Sequence, residues 1–173
     1  MTIHAGHPFP TEPDPVRRFR GRLGGAVALV TAGPPHDRAG LTVTSFLVAP
    51  GEDDAVVVLL DPDADLTERL LEHGRGVVQL LSWGERQLAE AFAGTAPAPG
   101  GPFRAAAFLD TPAGPRLASV TTWAEVAVVE HRDVGYSTLV VARIDDLVVG
   151  DDLDPLGHRR GRWVRLAPPD DVA

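Results

Sequence analysis

From Arg116 to Val134, and again from Ser137 to Val149, the chain runs in long β-rich segments separated only by Gly135-Tyr136. A two-residue link cannot carry a chain across a sheet, so these two strands must pair antiparallel as a hairpin. Further apolar, β-branched runs read as strands over Ala26 to Thr31, Gly40 to Val48, Ala55 to Leu60, Val77 to Leu81 and Arg162 to Leu166. The uninterrupted run Ala55 to Leu60 is expected to be buried on both faces or to lie at the centre of a barrel. Three short helices fit between them: Pro15 to Leu23 with Asp14 as N-cap, Leu66 to His73 with Asp65 as cap and Gly74 beyond its end, and Glu85 to Phe92 closed by Gly94. No strand–helix–strand spacing recurs, which predicts a mainly β fold of six or seven antiparallel strands closed as a barrel.

At 173 residues the chain suits one domain, long enough to bury about 70% of its unfolded surface. Residues 1–14 read as a flexible arm, 15–167 as the single domain and 168–173 as a tail. There is no cysteine, so neither disulfides nor thiolate metal sites are available. The first residues show no signal-peptide pattern and no run reaches about 18 apolar residues, so the expectation is a cytoplasmic protein with no membrane partner. A formal charge of −8 argues against nucleic-acid binding, which rests on an excess of basic side chains. Every basic residue is Arg, and eight of the sixteen fall in two clusters, Arg17, Arg18, Arg20, Arg22 and Arg159, Arg160, Arg162, Arg165.

The stretch Gly40-Leu41-Thr42-Val43-Thr44-Ser45-Phe46 stands out chemically. As one extended strand it places Leu41, Val43 and Ser45 on one face and Thr42, Thr44 and Phe46 on the other, with hydroxyls on both. A buried hydroxyl needs a partner, which here is either a polar ligand along the strand or neighbouring backbone.

Other clusters have bland readings beside their chemical ones. His158 with Arg159, Arg160 and Arg162 could bind a phosphate or nicotinamide nucleotide, or form a solvated loop paired with Asp151, Asp152 and Asp154. The six histidines show no metal-ligand spacing beyond His4 and His7. Asp61, Asp63 and Asp65 alternate like part of a calcium loop, but the glycine and distal glutamate such a loop needs are missing, and capping and turn formation explain them better. Trp83, Trp123 and Trp163 read as core or interface residues.

In order along the chain, Phe19-Arg20, Leu29-Val30-Thr31, Gly40 to Phe46, Phe92-Ala93-Gly94, Trp123-Ala124-Glu125 and Pro155-Leu156 to Arg160-Gly161-Arg162-Trp163 resemble the flavin reductase-like, FMN-binding split-barrel family from about Phe19 to Leu166. The resemblance implies a split β-barrel and a homodimer with flavin at its interface. It also implies hydride transfer from NADH or NADPH to FMN, with FAD as the other candidate, in support of a two-component monooxygenase. Carried onto this chain, it places flavin contacts at Arg38, Gly40, Leu41, Thr42, Thr44, Ser45, Phe46, Ala64 and Asp65, and nicotinamide contacts at Gly135, Tyr136, Ser137 and Arg160. No catalytic side chain and no metal are implied, because the cofactor carries the reaction.

Three positions depart from the family pattern. Ala64 and Asp65 stand where Ser and Thr usually donate to the flavin phosphate, Tyr136-Ser137 where Asp-His usually forms the hairpin turn, and Glu90-Ala91 where an Arg commonly precedes Phe-Ala-Gly. They keep open an alternative function, a non-catalytic split-barrel homodimer that binds another small molecule or a partner protein. A related barrel using heme or a deazaflavin is a third, more remote reading.

Overall fold

The computed structural model describes residues 14–151 and 154–166. The expected arm, apart from Asp14, and the tail over 168–173 lie outside these residues, as does Asp152.

Helix α1 (Pro15–Arg22) starts where Asp14 Oδ1 accepts the Val16 N–H at 2.9 Å, with Pro15 at the first helical position. The strands that follow are β1 (Gly25–Ala26), β2 (Ala28–Ala32), β3 (Ala39–Val43), β4 (Phe46–Ala49) and β5 (Ala55–Leu60). Helix α2 (Asp65–His73) leads into β6 (Arg75–Leu80), and a 3-10 turn at Trp83–Glu85 runs into α3 (Arg86–Phe92). After a second 3-10 turn at Pro102–Arg104 come β7 (Phe108–Thr111), β8 (Gly114–Leu117), β9 (Trp123–Val134), β10 (Ser137–Val148), β11 (Leu156–Arg159) and β12 (Arg162–Arg165).

Seven of these strands form one antiparallel sheet in the order β3-β2-β6-β9-β10-β5-β4. Its two edge strands, β3 and β4, are consecutive in the chain and separated only by Thr44-Ser45. Val43 and Phe46 are three residues apart, and three extended residues span at most about 11 Å. The sheet must therefore curl until its edges nearly meet. The result is the split barrel that the sequence predicts. Register shifts near Val141/Ala142 and Ile144/Asp146 add the local twist that lets the long β9–β10 hairpin follow the curl. Asp145 meets Arg75 across β9 at 2.8 Å and Arg143 on its own strand at 2.8 Å, and these hydrogen bonds hold its carboxyl below the usual carboxylate range.

The barrel interior holds Val30, Val43, Val56, Val58, Leu60, Val126 and Val140, closed by Leu66 and Leu70 of α2. A second apolar layer lies behind β2, where Leu29 meets Leu88, Ala89 and Phe92 of α3 and Leu117 and Leu156. Every residue of β2 is buried, so β2 takes the doubly covered position. The expectation for β5 is corrected: Val56, Val58 and Leu60 are buried, but Leu59 on its other face is 38% exposed. The physical reason is position, since β5 lies next to the edge strand β4 and no element described packs on its outer face.

Three other expectations are corrected. The strand expected to begin at Arg116 begins at Trp123, because β8 pairs with β7 as a separate hairpin. Buried Gln79 holds that hairpin to β6, its Oε1 accepting the Leu117 N–H and its amide donating to Thr31 Oγ1. The N-cap of α2 is Ala64, with no side-chain cap bond, and Asp65 is the first helical residue. The stretch Gly157 to Gly161 is not a loop. Its first residues extend β11, and Arg160-Gly161 forms the turn to β12 with φ of 52° and 74°. Both turn residues have positive φ, the arrangement that suits a two-residue hairpin between twisted strands.

Candidate functional site

The Gly40 to Phe46 stretch does not form the single straight strand that its alternation predicts. It bends at Thr44-Ser45, and its two halves join opposite edges of the sheet. Gly40 and Thr42 turn toward α3. The Thr42 hydroxyl donates to the Ala89 carbonyl at 2.8 Å, and a side chain at Gly40 would place its Cβ 2.7 Å from the Phe92 ring and 3.3 Å from the Phe103 ring. Leu41 packs on the barrel core. The side chains of Leu41 and Thr42 turn to protein partners, and with Gly40 they build the wall of the site. Arg38 sits over the Phe103 ring, its guanidinium carbon 4.5 Å from the centroid, at the far end of β3 from the bend.

At the bend the chemistry is different. Thr44 and Ser45 are exposed where the sheet splits. The Ser45 hydroxyl donates to the Leu59 carbonyl at 2.8 Å, and the Leu59 N–H donates to the Ser45 carbonyl at 2.9 Å. The Thr44 hydroxyl has no hydrogen-bond partner among the described residues. Phe46 pairs with Val58 and packs partly buried on the core. Leu60 pairs with Thr138. The register therefore gathers three predicted segments at one end of β5: the Thr44-Ser45 bend, the turn through Ala64 and Asp65, and the Gly135-Tyr136-Ser137 hairpin turn.

The turn into α2 carries Asp61, Asp63 and Asp65, with Glu68 in the first helical turn. Asp61 Oδ1 accepts the Asp63 N–H at 3.0 Å, and the Thr67 hydroxyl donates to the Asp61 carbonyl at 2.6 Å. The one arginine of α2, Arg69, meets Asp37 at 2.8 Å, Glu72 at 3.1 Å and Glu68 at 3.4 Å. There Asp37, Glu72 and His73 bring ligand-type atoms within 4.8 Å of one another, but the Arg69 guanidinium already balances them and ties α2 to the turn before β3. A phosphate at the start of α2 would meet the turn's carboxylates beside the uncapped backbone N–H groups of the first helical turn. At an effective dielectric of about 20, a like-charge pair 4 Å apart costs about 4 kcal/mol. The bend offers exposed polar groups, and the turn beside it is acidic.

The two arginine clusters, far apart in sequence, converge. The Arg160 N–H donates to the Gly21 carbonyl at 2.7 Å, and the Arg159 side chain comes within 3.3 Å of a Cβ built at Gly24. Helix α1 and the β11–β12 hairpin thus form one positive face, with a shallow cavity of about 530 Å³ lined by Arg159, Arg160, Arg162 and Val164. Among the described residues, Arg165 pairs with Asp154 at 3.5 Å, and no carboxylate pairs with Arg159, Arg160 or Arg162. Burial pushes the His158 imidazole below its ordinary value, and its ring packs edge-on against Trp163 at 5.1 Å. The other tryptophans are likewise packing residues: Trp83 meets Arg86 and Arg165, and Trp123 meets Arg116. Sequence reading missed the convergence, because Gly24 and Gly25 mark only the end of α1 and carry no sign of what docks beside them.

With the bend, the split and the converging turns in place, comparison with known proteins decides the family. The model of the flavin reductase like domain matches residues 20–167. The chain belongs to the flavin reductase-like family. Among solved structures, the Streptomyces globisporus C-1027 NADH:FAD oxidoreductase SgcE6, in complex with NAD and FAD fragments, matches with TM-score 0.81 and 22% identity, over 90% of this chain and 93% of its own. The styrene monooxygenase flavin reductase from Pseudomonas putida S12 gives TM-score 0.77 and 24% identity, over 89% and 98%. BorF, the flavin reductase component of a bacterial two-component tryptophan halogenase, gives 0.77 and 22%, over 88% and 99%. No curated protein sequence matches the chain.

Proposed function

We propose that this flavin reductase-like chain is an NAD(P)H:flavin oxidoreductase that supplies reduced flavin to a two-component monooxygenase, with FMN preferred to FAD. The observation that carries the reading is the split itself: a bent strand with exposed Thr44 and Ser45, set beside two turns, in a chain matched to the family over 20–167. Bound flavin would supply the hydride acceptor. The chain's own part is to hold the ring at the bend through Thr44, Ser45 and backbone, with Gly135, Tyr136 and Ser137 lining the approach. The nicotinamide nucleotide carries phosphates, and Arg159, Arg160 and Arg162 are the guanidinium groups suited to them.

A second copy of this chain is the partner that fits the uncovered apolar surface. Val16, Phe19 and Leu23 of the first helix and its end are 73%, 68% and 63% exposed, and Leu47 on β4 is 72% exposed. No helix among the described residues is long and apolar enough to cross a membrane, and the cytoplasm, where reduced nicotinamides are abundant, is the proposed location.

The test is a titration of the purified protein with riboflavin, FMN and FAD by flavin fluorescence, followed by NADH and NADPH oxidation with each. Flavin-dependent oxidation of a reduced nicotinamide is expected. Failure of all three flavins to bind at tens of micromolar overturns the reading. The acidic turn and the Tyr136-Ser137 turn favour one rival, a non-catalytic split-barrel homodimer, and flavin-dependent turnover excludes it.

A further inference from the structure

The arginine face holds more positive charge than the fold uses. Arg159, Arg160 and Arg162 line the cavity of about 530 Å³ with Val164, and none of the three has a carboxylate partner among the described residues. Arg160 also sits where its backbone is disfavoured. Its φ of 52° is the one positive value at a non-glycine residue among the described residues. Asn, Asp or Gly closes such a turn without strain, and strain kept at an arginine points to a use for its side chain. The face lacks acceptors as well. The 2′- and 3′-hydroxyls of an adenosine ribose are donors suited to a carboxylate, whereas a guanidinium can accept nothing. A 2′-phosphate in their place offers negative oxygens to the guanidinium forks.

The register brings this face to the same end of β2 as the bend. Gly25 pairs with His158, and Ala28 pairs with Val43, the residue before Thr44. Three extended residues and two strand spacings of about 5 Å put His158 within a distance on the order of 20 Å of Val43. A dinucleotide can span that interval. We infer that Arg159, Arg160 and Arg162 bind the 2′-phosphate of NADPH and are the specificity-determining residues by which the chain uses NADPH in preference to NADH. This deepens the flavin reductase reading above and rests on it. The nicotinamide half lies toward the bend and the phosphorylated ribose on the arginine face.

The experiment titrates the full chain, without flavin, with adenosine 2′,5′-bisphosphate and with adenosine 5′-monophosphate, which lacks only the 2′-phosphate, by calorimetry at 50 and 300 mM sodium chloride. The kcat/KM for NADPH and for NADH is then measured with FMN. The bisphosphate is expected to bind roughly tenfold or more tightly at the lower salt, and its advantage should shrink severalfold at the higher salt as the attraction is screened. The kcat/KM should favour NADPH by a similar factor. Arg160→Asn, which suits the backbone of the turn, should cut the bisphosphate advantage by about threefold or more with Tm equal or higher. Equal binding of the two adenosine nucleotides, a preference for NADH, or an unchanged advantage in Arg160→Asn would each overturn the inference and leave the flavin reductase reading intact. No flavin-dependent oxidation of either nicotinamide would overturn that reading, and the titration without flavin would still decide what the arginine face binds. No binding of either adenosine nucleotide would overturn the inference.

Discussion

The turn at Asp61–Asp65 and the turn at Arg160-Gly161 are both short connections at strand ends, and they carry opposite charge for opposite reasons. In the first, the fold uses the acids. Asp61 closes the turn on the Asp63 amide, and Asp65 and Glu68 lie in the first turn of α2, where a negative charge complements the helix dipole. In the second, the fold uses only the backbone. Positive φ at Arg160 and Gly161 closes the hairpin, and the Arg160 N–H docks on Gly21, while Arg159, Arg160 and Arg162 find no carboxylate among the described residues. A net charge of −8 therefore hides two poles. Charge the fold does not need is charge a ligand can use.

The strongest way to break this contrast is to reverse the basic pole. The variant Arg160→Glu, Arg162→Glu should raise the KM for NADPH by tenfold or more with little change in riboflavin affinity, measured by steady-state oxidation and by titration. An unchanged KM would remove the nucleotide from that face. Salt provides a milder probe. Raising sodium chloride from 50 to 300 mM should increase the KM for NADPH severalfold, because the attraction of its phosphates to the guanidinium groups is screened.

A smaller effect sharpens the acidic pole as structure. Ala64 has the extended φ of −77° and ψ of 135° that an N-cap needs, and lacks only the side-chain oxygen. Ala64→Ser should therefore stabilise the protein by about 1 kcal/mol, read as a rise of a few degrees in Tm. No gain would mean that the turn's acids already satisfy the helix amides.

The smallest effect concerns His158. Burial disfavours its charged form, so its folded pKa lies below the ordinary 6.5. Above that value both folded and unfolded states are neutral and nothing is lost. As pH falls below it, the unfolded chain takes up the proton first, and stability declines until the folded pKa is passed. Thermal melts from pH 7.5 to 5 should show a shallower decline in His158→Gln than in the unaltered protein. Equal slopes would place the acid sensitivity elsewhere.

Much of this architecture was legible because it is written in local chemistry. The β5 run, the α2 helix with Gly74 in the left-handed conformation at its end, and the hairpin turn at Gly135-Tyr136 all follow from periodicity and turn residues. The bend at Thr44-Ser45 was not legible. It contains neither glycine nor proline, and only the closure of the whole sheet makes it necessary. For the same reason, period-two alternation gave Thr42 and Thr44 equivalent roles, whereas α3 takes the first hydroxyl and leaves the second open. The β7–β8 hairpin went unseen because its two short strands, Phe108–Thr111 and Gly114–Leu117, have little β-pattern of their own and are held by Gln79 from a distant strand. Of the candidate site, sequence singled out the Gly40 to Phe46 stretch, the acidic turn and the hairpin turn, while the meeting of the two arginine clusters depended on a β1–β11 pairing across more than a hundred residues.

The placement of flavin at the bend is the central claim, and a crystal structure of the protein with FMN tests it most directly. The ring should lie against Thr44 and Ser45, with the flavin away from Arg159, Arg160 and Arg162. A flavin whose tail runs to the arginine face, or whose ring lies away from the bend, would contradict it.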